Sequence, residues 1–198
     1  MVRVSTQDAG FSLVELVIAI AILAVLVSLG VPSYQNIIRE NRLATQTNSL
    51  VGTLSLARSE SIKRRSPVVV CRTDDGSSCS NNGAGTWETG WIVFVDDNAD
   101  TNTDATDGNN QFDAAQNEIL LSYKESIASS STLRPIATNV DDFVRYAANG
   151  LFDNALNAAG GFYLCDARTS NVNEARNINI NITGQIQTSK NVGAGNCP

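Results

Sequence analysis

The chain has 198 residues, a formal net charge of −6 at pH 7, four cysteines and no histidine. The lack of histidine excludes Ser-His-Asp and Cys-His catalytic sites, and the negative charge excludes long-range attraction of nucleic acid. Residues 1–65 carry seven Lys or Arg and four Asp or Glu, whereas residues 66–198 carry seven and sixteen. The length suits one N-terminal anchor and one globular domain, and the charge count makes the globular domain acidic.

The first predicted element is an apolar helix close to the N terminus. Residues 1–10 are polar, and the apolar run that follows, up to Val31, carries a single charge. About 20 apolar residues are enough to cross a membrane as a helix. An ordinary signal peptide is cut after its apolar core, but here the small residue, Gly10, precedes that core. Cleavage between Gly10 and Phe11 would remove the leader and keep residues 11–31 as a transmembrane helix.

The hexapeptide Gly-Phe-Ser-Leu-Val-Glu at residues 10–15 resembles the processing site of type IV prepilins and pseudopilins. The resemblance implies cleavage by a prepilin peptidase and N-methylation of the new amine of Phe11. It also implies that Glu15 sets the register of assembly by neutralising that amine on a neighbouring subunit, because each charge alone is costly in lipid. Two alternatives stay open: an uncleaved single-span anchor, and a Glu15 that only reaches the membrane interface.

A second helical segment, residues 32–65, extends the anchor. Gly30 and Pro32 interrupt the helix at the junction, because proline removes a helix hydrogen bond. The resemblance implies that this segment loosens on assembly, and a plain kink at the membrane surface is the alternative. Apolar residues then recur at helical spacing, which predicts an amphipathic helix whose later half packs on a sheet; they are Tyr34, Ile37, Ile38, Ala44, Leu50, Val51, Leu54 and Ile62. The basic run 63–65 suits the C terminus of a helix, and a binding patch is its alternative reading.

The remaining residues, 66–198, read as a β-rich domain. The predicted strands are residues 68–71, 91–95, 119–123, 143–146, 162–165, 177–182 and 185–187. Short strands with turn-rich connections indicate an antiparallel domain of two small sheets against the helix. The predicted fold class is therefore α+β, with a long N-terminal helix whose first half spans the membrane.

All four cysteines lie in this β-rich domain. Two disulfides are favoured over a metal site, because histidine is absent and the spacing within the first cysteine pair is too wide for a zinc ligand pair. The pairing that we predict is Cys71–Cys79 and Cys165–Cys197, which closes a short hairpin and ties down the C-terminal tail. The sequence alone permits three connectivities.

Two further segments indicate which family of prepilin-like proteins the chain resembles. Residues 57–65, followed by a valine strand, and residues 90–98, Gly-Trp-Ile-Val-Phe-Val-Asp-Asp-Asn, look like the FimT/GspH family of minor pilins and pseudopilins. The family implies a structural subunit that joins or primes a type IV pilus, or alternatively a type II secretion pseudopilin. It implies a single-pass inner-membrane protein with a periplasmic domain, whose partners are other pilins or pseudopilins, the prepilin peptidase/N-methyltransferase and an assembly platform. Trp91 and Phe94 are predicted core residues.

DNA uptake is a further alternative. Some FimT-type pilins bind DNA through a Gly-Arg-x-Arg segment, where two arginines can clamp phosphates. The matching residues here are Gly184, Gln185 and Gln187, with Lys190 as the one nearby cation. Because glutamine carries no charge, the sequence predicts weak or no DNA binding.

Other chemistry has little support in the sequence. The segment 96–113 is rich in Asp and Asn, which suits calcium, but its spacing departs from the EF-hand pattern and favours a solvated loop. The adjacent Asp141 and Asp142 suit a polar turn, and no nucleotide-binding glycine loop is present. We therefore expect no enzyme activity, no cofactor and no metal centre.

Overall fold

A computed structural model describes most of the chain. The described residues are 11–80, 86–96, 108–116, 118–127, 130–136, 140–153, 159–166 and 175–190, without the side chains of residues 29, 30, 32, 33 and 116. Two of the predicted site residues, Gly10 and Cys197, lie outside the described residues. The chain divides into two compact units, Met1–Asn41 and Arg42–Pro198.

One helix, α1, covers Leu13–Arg64. Its N terminus is capped by Ser12, whose Oγ accepts a hydrogen bond from the Glu15 amide at 3.2 Å. Its C terminus is followed by Arg65, which has a positive φ of 58°, a conformation typical of residues that end helices. The helix is continuous through Gly30 and Pro32. Loosening of this segment on assembly stays a prediction, because the structure describes a single chain.

The first unit consists of residues 13–41 of this helix and its N-terminal flank. Every residue from Phe11 to Ser28 is exposed, and Phe11 itself is 80% exposed. Within the described part of the chain, no helix has the length and apolar character that crossing a membrane demands.

The second unit contains two antiparallel four-stranded sheets, which confirms the predicted α+β fold. Sheet A has the order β3-β2-β1-β5, and sheet B has the order β4-β6-β7-β8. The strands are β1 Val68–Arg72, β2 Gly90–Val95, β3 Ile119–Glu125, β4 Ser131–Pro135, β5 Phe143–Tyr146, β6 Gly160–Asp166, β7 Arg176–Ile180 and β8 Ile186–Lys190. Two short 3₁₀ helices, Trp87–Thr89 and Ala114–Gln116, precede β2 and β3.

The main core lies between the second half of α1 and the two sheets. The helix contributes a buried stripe at helical spacing: Leu43, Leu50, Leu54 and Ala57. Both sheets contribute to the same cluster, for example through Trp91 of β2 and Phe162 of β6. A second cluster covers the opposite face of sheet A, with Val69, Cys71, Ile92 and Phe94 at its centre. Because both faces are covered, every residue of β1 and β2 is buried.

Candidate functional site

The N-terminal motif forms the first turn of α1. Ser12 is the residue before the helix, and Glu15 is three residues further on, which is the spacing of a capping box. This local role of Ser12 was missed by the sequence reasoning, although the Ser-x-x-Glu pattern could have indicated it. Phe11 and Glu15 are both exposed. The motif therefore presents an apolar, solvent-facing helix start with one carboxylate, and its cleavage and methylation stay predictions.

Three of the four predicted DNA-contact residues line one groove of about 690 Å³ beside α1. Gly184, Gln185 and Gln187 lie on one side of it, and Val51, Ser55, Arg58, Ser59 and Ile62 of the helix lie on the other. Lys190 lies apart from them, in a separate pocket with Arg176 and Asn48. The lining of the groove contains one cation, Arg58, and no carboxylate.

Arg58 has a structural role in this groove. Its Nε donates a hydrogen bond to the Gly150 carbonyl at 3.1 Å, and its Nη2 donates one to the Thr183 carbonyl at 3.0 Å. The two carbonyls belong to the turns that follow β5 of sheet A and β7 of sheet B, so one side chain ties both sheets to the helix. No pattern in the sequence indicated this role. A phosphate backbone needs several free cations for appreciable affinity, and weak DNA binding stays our prediction.

Gly184 is held in place by its backbone. Its φ is +76°, and a Cβ there would lie 2.2 Å from the Gly150 carbonyl oxygen. Only glycine adopts that conformation readily. The glycine that matches the DNA-binding segment therefore has a packing role in this chain, independent of any ligand.

A buried ion pair stands at the end of β2. Asp96 has a fully buried side chain, and its Oδ2 lies 3.0 Å from Nη1 of Arg145 on β5. Arg145 Nη1 also donates hydrogen bonds to the Gly108 carbonyl at 2.9 Å and to Asn110 Oδ1 at 3.0 Å. Burial raises the pKa of Asp96 to about 6, while the neighbouring Arg145 acts in the opposite direction. The sequence placed Asp96 in an acidic loop and gave no indication of its partner.

The possible calcium-binding segment, 96–113, consists largely of residues that the structure does not describe, including Asp97, Asp100, Asp104 and Asp107. Among the described residues, no group of three or more Asp, Glu, His or Cys side chains is arranged to hold a metal ion. The expectation of a solvated loop therefore stays a prediction.

The Asp96 pKa predicts an unusual dependence of stability on pH. Because the folded pKa of about 6 exceeds the ordinary 3.8, the folded protein binds this proton more tightly than the unfolded chain does. The stabilisation is complete below pH 4 and is lost as the pH rises through 6. We expect the stability difference between wild type and Asp96→Asn to change by roughly 3 kcal/mol between pH 4 and pH 8. Chemical denaturation of both proteins at several pH values measures it, and parallel curves would contradict the prediction.

The first predicted disulfide is present. Cys71 of β1 and Cys79 are bonded, with their Cα atoms 5.6 Å apart. Cys165 of β6 is also disulfide-bonded, but its predicted partner, Cys197, is not described, so that pairing stays a prediction. The topology is compatible with it, because Leu164, Arg176 and Lys190 lie in one row across β6, β7 and β8. The tail after Lys190 therefore starts two strands away from Cys165.

Removing the first disulfide should weaken the domain measurably. We expect the double variant Cys71→Ala, Cys79→Ala to lose about 2–3 kcal/mol in the free energy of unfolding, since the bond closes a short loop and restricts the unfolded chain. Denaturant titration checks the value. Adding reductant to this variant should lower its stability further, because the disulfide of Cys165 is then broken. Four free thiols in the wild type, found by mass spectrometry, would contradict both expected losses of stability.

The architecture and the motif together define a class of protein. The chain combines a capped, exposed apolar helix start with a helix whose second half packs on two antiparallel sheets. The family model "Type II transport protein GspH" matches residues 46–184, and the model "Prokaryotic N-terminal methylation motif" matches residues 6–31. The chain belongs to the GspH family. It is a structural subunit of the minor pilin or pseudopilin kind, which assembles with other pilins or pseudopilins.

Solved structures support the fold. Two crystal forms of the type IV minor pilin FimU of Pseudomonas aeruginosa are similar to this chain, at 18% and 17% identity with TM-scores of 0.54 and 0.51. The similarity covers 80% and 79% of this chain and 96% and 100% of FimU. The minor pseudopilin EpsH of Vibrio cholerae gives 10% identity and a TM-score of 0.44 over 75% of this chain and 97% of EpsH, a level that does not by itself indicate a shared fold. A comparison with curated protein sequences gives no match.

Proposed function

We propose that the chain is a minor pilin that is cleaved between Gly10 and Phe11, methylated on Phe11, and assembled into a type IV pilus or its priming complex. Residues 11–31 hold it in the bacterial inner membrane before assembly, and residues 66–198 face the periplasm. A prepilin peptidase/N-methyltransferase processes it, and an inner-membrane platform feeds it into the filament.

The observation that carries this proposal is the surface of the first helical unit. All residues from Phe11 to Ser28 are exposed, and 12 of them are large apolar side chains, among which stands the single carboxylate of Glu15. Such a surface is unfavourable in water, at roughly 25 cal/mol per Å² of apolar area. Lipid before assembly and neighbouring helices afterwards would cover it. The Phe11 amine created by cleavage would then pair with Glu15 of an adjacent subunit.

A second candidate is a pseudopilin of a type II secretion system. It is favoured by the matching family model, which is described as a type II transport protein. The two candidates share the anchor, the processing and the fold, and they differ in the filament that takes up the subunit.

A deletion strain separates the two candidates. Loss of twitching motility and piliation identifies the pilus, and loss of secreted enzymes identifies the secretion system. Complementation with Glu15→Gln should fail, because the buried amine of the neighbour loses its counter-charge. The matched control is Glu40→Gln, which removes the other carboxylate between Phe11 and Asn41 and should complement. An unaffected deletion strain, or a Glu15→Gln variant that complements fully, would overturn the proposal.

A further inference from the structure

The outer edge of β8 is open. β8 is the last strand in the order of sheet B, so no described strand lies beyond it. The Asn181 amide donates to the Gln185 carbonyl at 3.0 Å, the register that follows is regular, and bonded and non-bonded pairs alternate along an antiparallel ladder. Ile186 and Thr188 therefore turn their N–H and C=O groups away from β7. Among the described residues, none binds these groups.

The other edge of sheet B is covered at its centre. The Leu133 amide of β4 donates to Oε1 of Glu88 at 2.7 Å, so a side chain takes the place of a further strand. An uncovered edge is a template for pairing with another chain. Of the two edges of sheet B, β8 is therefore the one that can accept an additional strand.

Two pockets lie between β8 and α1. The groove of about 690 Å³ has Ile186 on one wall and Val51 and Ile62 on the other. A smaller pocket, of about 190 Å³, lies between Lys190 and Ala44. In the described lining of the groove, sheet B contributes only β8 and the turn before it, which places the groove at the edge of the sheet. We call the two pockets together the β8 cleft, and the five residues of β8 beside it span about 17 Å.

The lining of the β8 cleft combines apolar surface with positive charge. Ile62 is 50% exposed, and Val51 and Ile186 are partly buried against the core. Arg58 lines the groove and Lys190 lines the smaller pocket, while the described lining of both contains no carboxylate. Charge complementarity favours an occupant that carries apolar and acidic side chains. A second copy of the same cleft is disfavoured, because its cations would repel these.

We propose that the β8 cleft receives an extended segment of a different, neighbouring filament subunit, which joins sheet B beside β8 as an additional strand. The proposal rests on the proposed function, since only an assembled subunit has such a neighbour. The backbone of the segment pairs with Ile186 and Thr188, and its apolar and acidic side chains face α1. Strand addition takes its affinity from main-chain hydrogen bonds and its specificity from pockets for alternate side chains.

The test places a photocrosslinker in filaments assembled in cells. Gln187 is replaced by p-benzoylphenylalanine, because a side chain at this position lies on the face of β8 opposite Ile186 and leaves the cleft free. Illumination of the sheared filament fraction should join this chain to one other subunit. Mass spectrometry should locate the crosslink in a segment of that subunit with apolar and acidic residues.

Two substitutions at Thr188 separate backbone pairing from side-chain contact. Thr188→Pro removes one outward N–H and no hydrogen bond to β7, a change that an edge strand tolerates. It should lower the yield of the crosslinked product about tenfold, through the lost hydrogen bond and the bulk of the ring. Thr188→Val keeps the amide and should not lower the yield.

Two substitutions on α1 test the charge of the cleft without changing the strand. Ser59 is exposed and lines the groove. Ser59→Glu places a carboxylate opposite the acidic segment and should reduce the yield, whereas Ser59→Lys should preserve it. Because the substitution lies on the exposed side of a helix, this pair decides the question even if Thr188→Pro does not fold.

The results distinguish this inference from the proposed function. Filaments that contain the chain but give no crosslinked product would overturn the inference and leave the proposed function intact. A chain that never enters filaments would overturn both. Equal yields from folded Thr188→Pro and Thr188→Val, or from Ser59→Glu and Ser59→Lys, would contradict strand addition. A crosslink to a second copy of the chain, to the N-terminal helix of another subunit or to DNA would contradict it as well.

Discussion

Replacing Gly184 by alanine should destabilise the protein by about 3 kcal/mol or more, although alanine is the smallest possible change. The new Cβ would lie 2.2 Å from the Gly150 carbonyl oxygen, and the residue would have to keep a φ of +76°. Strain of that backbone conformation alone costs about 1–2 kcal/mol, and relief of the overlap would displace the Gly150 carbonyl that Arg58 binds. Thermal unfolding should show a decrease in Tm of roughly 6–12 °C.

Gly52 of α1 offers a matched control for this substitution. A Cβ on Gly52 meets no atom within 4 Å, and alanine is favoured over glycine in a helix by about 1 kcal/mol. Gly52→Ala should therefore leave the Tm unchanged or raise it. Equal effects of the two substitutions would contradict the packing role that we assign to Gly184.

Replacing Gly10 by valine should abolish processing and, with it, assembly. The resemblance to prepilins implies that the peptidase accepts a small residue immediately before the cut, so a β-branched side chain at that position should block cleavage. The precursor should retain residues 1–10, migrate more slowly on a denaturing gel and be missing from sheared filaments. Immunoblots of whole cells and of the filament fraction measure both effects.

The control is Ala9→Val, which makes a similar increase in size one residue earlier. It should be processed and assembled normally. Cleavage of Gly10→Val at the wild-type rate would show that the peptidase cuts elsewhere, and loss of processing in both variants would point to a general defect of the leader.

Much of the fold was predictable because its signals are local. The run of valines in β1 and the alternation of Asn and Ile in β7 identify strands without reference to the rest of the chain, and Ile178 and Ile180 are buried as the alternation predicts. Strand β4 was missed, since Ser131–Pro135 contains one large apolar residue, Leu133, and ends in proline. That segment becomes a strand because it pairs with β6, which is a tertiary effect.

Tertiary contacts also decide which residues of the helix are buried. Leu50 and Leu54 were predicted to face the sheets and are buried, whereas Ile62 of the same predicted stripe is 50% exposed. Ala57 takes a core position that its small size did not suggest. The spacing of apolar residues predicts which face of the helix is buried. How far along the helix that face extends depends on the sheets that cover it.

The candidate sites also differ in how far the sequence could predict them. The N-terminal motif is contiguous in sequence and could be identified directly. Arg58 and Arg145 act on residues 92 and 37 positions away, and neither has a sequence signal that distinguishes it from a surface arginine. Their roles depend on which turns the two sheets bring beside them.

The most direct test of our account is the N-terminal residue of the mature protein isolated from cells. Mass spectrometry of the intact chain, followed by N-terminal peptide sequencing, should find a polypeptide that begins with a singly methylated Phe11 and co-purifies with filament subunits. A mature chain that starts at Met1, or at any residue other than Phe11, would contradict it.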